Sequence, residues 1–151
     1  MTNTINLLKK NRLLILKLIE ALTLEQLNKI PEGFGNNIIW NVGHLAVTQQ
    51  LLCYKLSRLP MHISDEMVDN YRKDSAPNGD VNQAEVDEIK RLFVELPDQF
   101  EKDYNENIFK EYDSYTTSVN VTLSDIYSAS SFNNFHEGIH LGVILTLRKL
   151  V

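Results

Sequence analysis

From Leu123 to Leu147 the chain carries only two charged residues, Asp125 and Glu137. A helix this poor in charge is expected to be buried on most sides, so other helices must surround it. Thr122 with Asp125 reads as the cap that starts it, and it is expected to run to the end of the chain. The rest of the sequence supplies the partners. Gly and Pro number only six and four and fall mostly between periodic segments.

Three further long helices are expected. The first spans about Thr4 to Leu22. Thr23, with Gln26 three residues on, then forms a capping box. Pro31, Gly33 and Gly35 mark a loop, and Asn36 or Asn37 caps the second helix, expected to reach about Arg58. Its apolar residues fall on two stripes. One holds Ile38, Val42, Leu45, Leu52 and Leu56; the other holds Trp40, His44, Val47 and Leu51. Apolar character on two faces marks a helix central to the core. Ser64 starts a short helix, Asp65 to Lys73. Asn82 and Glu85 open the third long helix, to about Asn107, with the stripe Val86, Ile89, Phe93, Leu96, Phe100 and Tyr104. Pro97 inside it predicts a kink or break. Phe109 to Asn120 is β-prone and is expected to cross the bundle extended. The whole predicts one domain over 1–151, all-α, an up-down four-helix bundle with short connecting helices and one extended crossover segment.

Three of the four histidines lie in these helices. His44 is in the second, and His136 and His140 are in the last. A spacing of i, i+4 puts His136 and His140 one turn apart on one face. With a third imidazole from another helix they make a facial three-nitrogen set suited to a divalent transition metal, leaving positions open. Burying three imidazoles unpaired costs desolvation, and few carboxylates stand ready to pair with them. Trp40 and Thr48 flank His44 by one turn, and Asn133 precedes His136 by three residues, so these three are pocket candidates. Trp40 suits a core position equally, and Asn133 a structural hydrogen bond. His62, after Pro60, reads as a solvated surface residue.

His136-Glu137-Gly138-Ile139-His140 also fits the H-E-x-x-H pattern of zinc proteases, whose Glu is the general base. Only 11 residues follow His140, leaving little room for a downstream carboxylate ligand. Val143 and Thr146 stand where the extended form needs Gly and His. Glu137 remains a weak catalytic candidate, with a supporting or surface role as the alternative. Gly138 and Gly142 lie about 200° around the helix from the histidines and are expected to admit a neighbouring helix or a second copy. Gly43 suits the same purpose.

Lys and Arg total 15 against 20 Asp and Glu, a net charge of −5. No basic surplus is present to neutralise phosphates, which argues against a nucleic-acid partner. The lone cysteine, Cys53, cannot form an internal disulfide and reads as a buried small hydrophobe. A reducing, cytoplasmic compartment fits. Lys17 and Glu20 interrupt the N-terminal apolar run, so neither a signal peptide nor a membrane span is expected.

Asn36-Asn37-Ile38-Ile39-Trp40-Asn41-Val42-Gly43-His44-Leu45 resembles the second-helix motif of the DinB-like (DNA-damage-induced) superfamily. Phe135-His136-Glu137-Gly138-Ile139-His140-Leu141-Gly142 resembles its last-helix motif. Similarity extends to Asp65–Lys73, to Tyr112-Asp113-Ser114-Tyr115-Thr116-Thr117 and to Thr122-Leu123-Ser124, and so covers nearly the whole chain. The resemblance implies a four-helix bundle, often dimeric, with His44, His136 and His140 holding zinc, nickel or a similar ion. It implies a small-molecule substrate. Some relatives are thiol S-transferases using low-molecular-weight thiols such as bacillithiol or mycothiol, and others resemble hydrolases or isomerases. The expected function is therefore thiol S-transfer to an electrophile or hydrolysis at a metal. A non-catalytic metal- or ligand-binding bundle is the alternative. The family name does not imply DNA binding.

Overall fold

In the computed structural model, which describes residues 1–151, the chain is mostly helical. Its six α-helices are α1 (Thr2–Ile19), α2 (Leu24–Asn28), α3 (Ile38–Cys53), α4 (Asp65–Tyr71), α5 (Gln83–Asn105) and α6 (Ile126–Leu147). A 3-10 turn, Lys55–Ser57, follows α3. Two short strands, β1 (Tyr115–Thr116) and β2 (Thr122–Leu123), pair antiparallel. No helix is long and apolar enough to cross a membrane.

The expected start signals operate. Thr23 accepts from the Gln26 amide while the Gln26 side chain answers the Thr23 amide. Asn37, Ser64 and Asn82 each accept from the amide three residues on. Each bond satisfies a donor that the first helical turn leaves without a partner. The last helix differs from expectation. Its cap is Asp125, boxed with Ser128, and Thr122 lies in β2. The β-prone stretch thus forms a small hairpin rather than a plain crossover. Its turn closes where Thr117 N–H donates to the Val121 carbonyl and Asn120 takes a left-handed φ of 61°. The α3 helix stops at Cys53, short of Arg58, which itself adopts a left-handed φ of 56°.

Each long helix packs on two others: α1 and α3 both lie against α5 and α6, and α4 lies on α3. The α3 helix is central, as its two apolar stripes predict. All its residues are buried except Thr48 and Leu51. The α5 stripe Val86, Ile89, Phe93, Leu96 and Phe100 faces inward. The α6 helix is less covered than its composition predicts. It buries Ala129, Ser130, Asn133, Glu137, Ile144 and Leu147, and leaves Tyr127, Phe135, Ile139 and Leu145 exposed. A methyl placed on Gly138 or Gly142 meets nothing, so no helix of the same chain approaches there.

A buried ion pair ties the four long helices together. Arg12 sits in the α1 stripe Ile5, Leu8, Arg12, Ile15 and Ile19 and is 1% exposed; Glu137 on α6 is 0% exposed. Arg12 Nε and Nη2 donate to Glu137 Oε1 at 3.0 and 2.8 Å. Asn133 Nδ2 reaches the same oxygen at 3.1 Å, and Asn11 Nδ2 reaches Oε2 at 3.2 Å. The other guanidinium donors go to main-chain carbonyls: Nη2 to Leu45 on α3, and Nη1 to Phe93 on α5. That last bond explains why Pro97 does not break α5. Proline lacks an N–H, so the carbonyl four residues earlier, that of Phe93, loses its helical partner. Arg12 Nη1 takes its place at 3.2 Å, and the guanidinium lies 4.5 Å from the centroid of the Phe93 ring.

Removing one partner leaves the other charge buried and alone. Arg12→Met or Glu137→Gln is expected to cost about 3–5 kcal/mol in urea unfolding, whereas Arg12→Met/Glu137→Met costs clearly less than the sum of the single changes.

Gly43 meets a different constraint. A Cβ built there would lie 2.6 Å from the Tyr71 ring of α4, so only glycine lets the two helices close. Alanine ordinarily gains about 1 kcal/mol over glycine within a helix. Here Gly43→Ala is expected to lose about 1–3 kcal/mol instead, through the forced shift of Tyr71, as thermal unfolding will report.

Candidate metal centre

Helices α3 and α6 bring His44, His136 and His140 together. One potential ligand atom from each lies within 4.8 Å of the other two, and this group of three could hold a metal ion. His44 Nε2 and His136 Nε2 are 3.2 Å apart. Two nitrogens bound tetrahedrally to one zinc-like ion would stand about 3.3 Å apart, given metal–nitrogen bonds of about 2.0–2.1 Å.

Two of the rings are aimed by fixed acceptors. His44 Nδ1–H donates to the Tyr71 carbonyl at 2.7 Å. The Gly43–Tyr71 contact puts that carbonyl within reach. His140 Nδ1–H donates to Asn41 Oδ1 at 2.7 Å. The Asn41 amide can present only its oxygen there, because its Nδ2 already donates to Asn36 Oδ1 and the Asn37 carbonyl. Both rings therefore hold their proton on Nδ1 and turn the bare Nε2 inward, the support a histidine ligand normally receives. His136 has no such partner: its Nδ1 is buried and makes no hydrogen bond. Trp40 lies flat on His44, with centroids 4.8 Å apart and planes 9° from parallel, and its Nε1–H is tied to the Asn70 carbonyl.

Burial dominates the electrostatics. It holds the His136 pKa down at about 3, with the His140 and His44 charges adding to the effect. His140 falls to about 4 through burial and then His44. His44 is lowered by burial, which the Tyr71 carbonyl partly offsets. Three neutral imidazoles with converging lone pairs, one of them missing a partner, form a donor set that a cation would complete. The donors are borderline nitrogens, which suits zinc, nickel or a similar ion.

The trio opens on a cavity of about 440 Å³. Thr48 and Leu51, the two α3 residues that are not buried, line it with Phe132, Lys55, Lys73 and Tyr115. A cleft of about 490 Å³ between α4 and α5 is slightly larger, but no converging trio of metal-ligating groups occurs there. Of the expected pocket residues only Thr48 lines the cavity, with Oγ1 3.4 Å from His44 Nε2. Trp40 stands behind His44 and makes no part of the wall. Asn133 turns to Glu137 and is also absent from it. Glu137 itself is spent on Arg12 inside the core. It is 0% exposed and makes no part of the cavity wall, so the H-E-x-x-H reading of its role has no geometry behind it.

Asn41, Arg12 and the two lysines were not among the expected site residues. Arg12 had a legible signal, a charge placed within an apolar stripe. Asn41 and the lysines had none, since their roles depend on which helix comes alongside. Cys53 is buried, as expected, and its thiol is pushed up to about 12, which keeps it protonated. His62 is less free than a surface residue: Nε2 lies 3.3 Å from Asp103 Oδ2 and the ring meets Tyr54 edge-on.

The DinB superfamily profile matches residues 7–144, and the chain belongs to that superfamily. No curated protein gives a significant match.

An unfolded histidine takes up a proton near pH 6.5, whereas His136 and His140 resist protonation until about 3 and 4. Below pH 6.5 the unfolded state therefore binds more protons, and stability of the metal-free protein falls as pH drops toward 4. Each histidine contributes up to about 1.4 kcal/mol per pH unit. Urea unfolding between pH 7.5 and 4.5 is expected to show that slope, and His136→Gln to flatten it.

Proposed function

We propose that this chain is a metal-dependent small-molecule enzyme built on an up-down four-helix bundle, and that it joins a small thiol through its sulfur to an electrophile, the thiol losing its proton and the electrophile opening its epoxide ring or releasing halide. His44, His136 and His140 would hold a divalent transition metal, zinc or nickel by the nature of the donors. Such a cation supplies the positive charge that lowers a coordinated thiol's pKa and makes it a nucleophile at neutral pH. The observation that carries the reading is the converging imidazole trio on an open cavity. Tyr71 and Asn41 hold two of the rings, Trp40 backs His44, and Leu51 and Phe132 give an apolar wall for the electrophile.

Hydrolysis at the same centre is the second reading, because the cation would equally lower the pKa of a bound water to about 7. What the wall lacks is a carboxylate general base: it contains no Asp or Glu, and Glu137 is held by Arg12. The expected homodimer would use the uncharged outer arc of α6 around Gly138 and Gly142.

Elemental analysis of tag-free protein beside His44→Ala is the first test. Near-stoichiometric metal in the wild type, lost in the variant, is expected, followed by metal-dependent consumption of a thiol with an epoxide or aryl halide. No metal in either protein after incubation with divalent ions would end this reading.

A further inference from the structure

The wall of the histidine cavity has an unusual charge for this protein. Acidic residues outnumber basic ones 20 to 15 in the chain, yet the wall carries two lysines and no carboxylate. Four other clefts each present at least one: Glu85 and Glu88 in the cleft between α4 and α5, Asp80 beside Trp40, Asp98 beside Arg12, and Glu95 beside His62. Lys55 comes from the 3-10 turn after α3, and Lys73 follows α4. Both are exposed, whereas His44 is 5% exposed, so the ammonium groups stand at the solvent end and the imidazoles at the deep end. Neither lysine makes an ion pair, so both ammonium groups are free to meet a ligand. Hydroxyls from Tyr115, Thr117 and Ser118, at the β1 end of the hairpin, share the wall.

We infer that Lys55 and Lys73 form an anion subsite, and that the small molecule held at the histidines carries a carboxylate or similar anionic group at its other end. The inference rests on the metal reading for the deep end of the ligand only; the subsite itself needs just the lysines and the hydroxyl-bearing hairpin. Two unpaired ammonium groups in a cleft attract an anion and raise its local concentration, an effect that added salt screens. The wall then selects by charge at its mouth and by donor chemistry at its floor. The two lysines are thus specificity-determining residues, acting on the non-reacting part of the substrate.

The test compares two thiols on cobalt(II)-loaded protein, whose sulfur-to-cobalt absorption reports binding. Mercaptosuccinate carries two carboxylates; thioglycerol carries none. Mercaptosuccinate is expected to bind roughly tenfold tighter at low ionic strength, with the preference shrinking as salt is added. In Lys55→Gln/Lys73→Gln the preference collapses to within about twofold. Equal binding of the two thiols by the wild type, or a preference that survives in the variant, would overturn the subsite. A parallel titration of metal-free protein with succinate, followed by NMR, separates the two readings. Shifts at Lys55, Lys73 and Tyr115 to Ser118 that vanish in the variant support the subsite even if no metal is ever taken up, in which case the metal reading alone fails. Metal uptake with no succinate shifts and no thiol preference refutes the subsite and leaves the metal reading standing.

Discussion

The contact between Arg12 and Glu137 is the constraint on which the other long-range arrangements depend. One guanidinium reaches all three of the long helices other than its own: a carboxylate on α6, a carbonyl on α3 and a carbonyl on α5. Moving two charges out of water costs several kcal/mol each, and a buried pair does not always recover it. What this pair does supply is a single register. Glu137 is fully buried only if α6 is rotated to face Arg12, and that rotation turns His136 and His140 toward α3. Arg12 also fills the carbonyl that Pro97 frees, so a residue that should interrupt α5 becomes part of the same network.

The histidine site shows the same division between what holds and what is held. Main-chain and amide oxygens fix the rings of His44 and His140, and Gly43 lets Tyr71 come close enough to supply one of those oxygens. Burial keeps the imidazoles neutral, the state in which they can donate lone pairs to a cation. Because Glu137 is committed to the core, the cavity contains no carboxylate. The cavity wall is left with lysines as its charged groups besides the imidazoles.

Much of this was legible in the residues. The caps at Thr23, Asn37, Ser64 and Asn82 work through three-residue contacts, so local sequence suffices to find them. The α5 stripe and the doubly apolar α3 are periodicities that report burial directly. His136 and His140 share a face through helical geometry alone. Failures came where an outcome depended on distant partners. Thr122 looked like a cap, but pairing with Thr116 drew it into a strand and left the task to Asp125. Pro97 looked like a break because the donor that rescues Phe93 comes from a helix some eighty residues earlier. The low charge of α6 overstated its burial, since one face has no neighbour in the chain.

Local contacts and the 3.6-residue period are enough to show which segments are helical, where most of them start, and which three imidazoles could converge, because each depends on residues only a few positions apart. The tertiary structure decided what each polar group does. Glu137, Asn133, Asn41, Lys55 and Lys73 are all ordinary in sequence. Whether a side chain neutralises a buried charge, aims a ring or lines a cavity depends on the rotation of its helix against the next. That rotation is fixed here by an ion pair between residues more than a hundred positions apart.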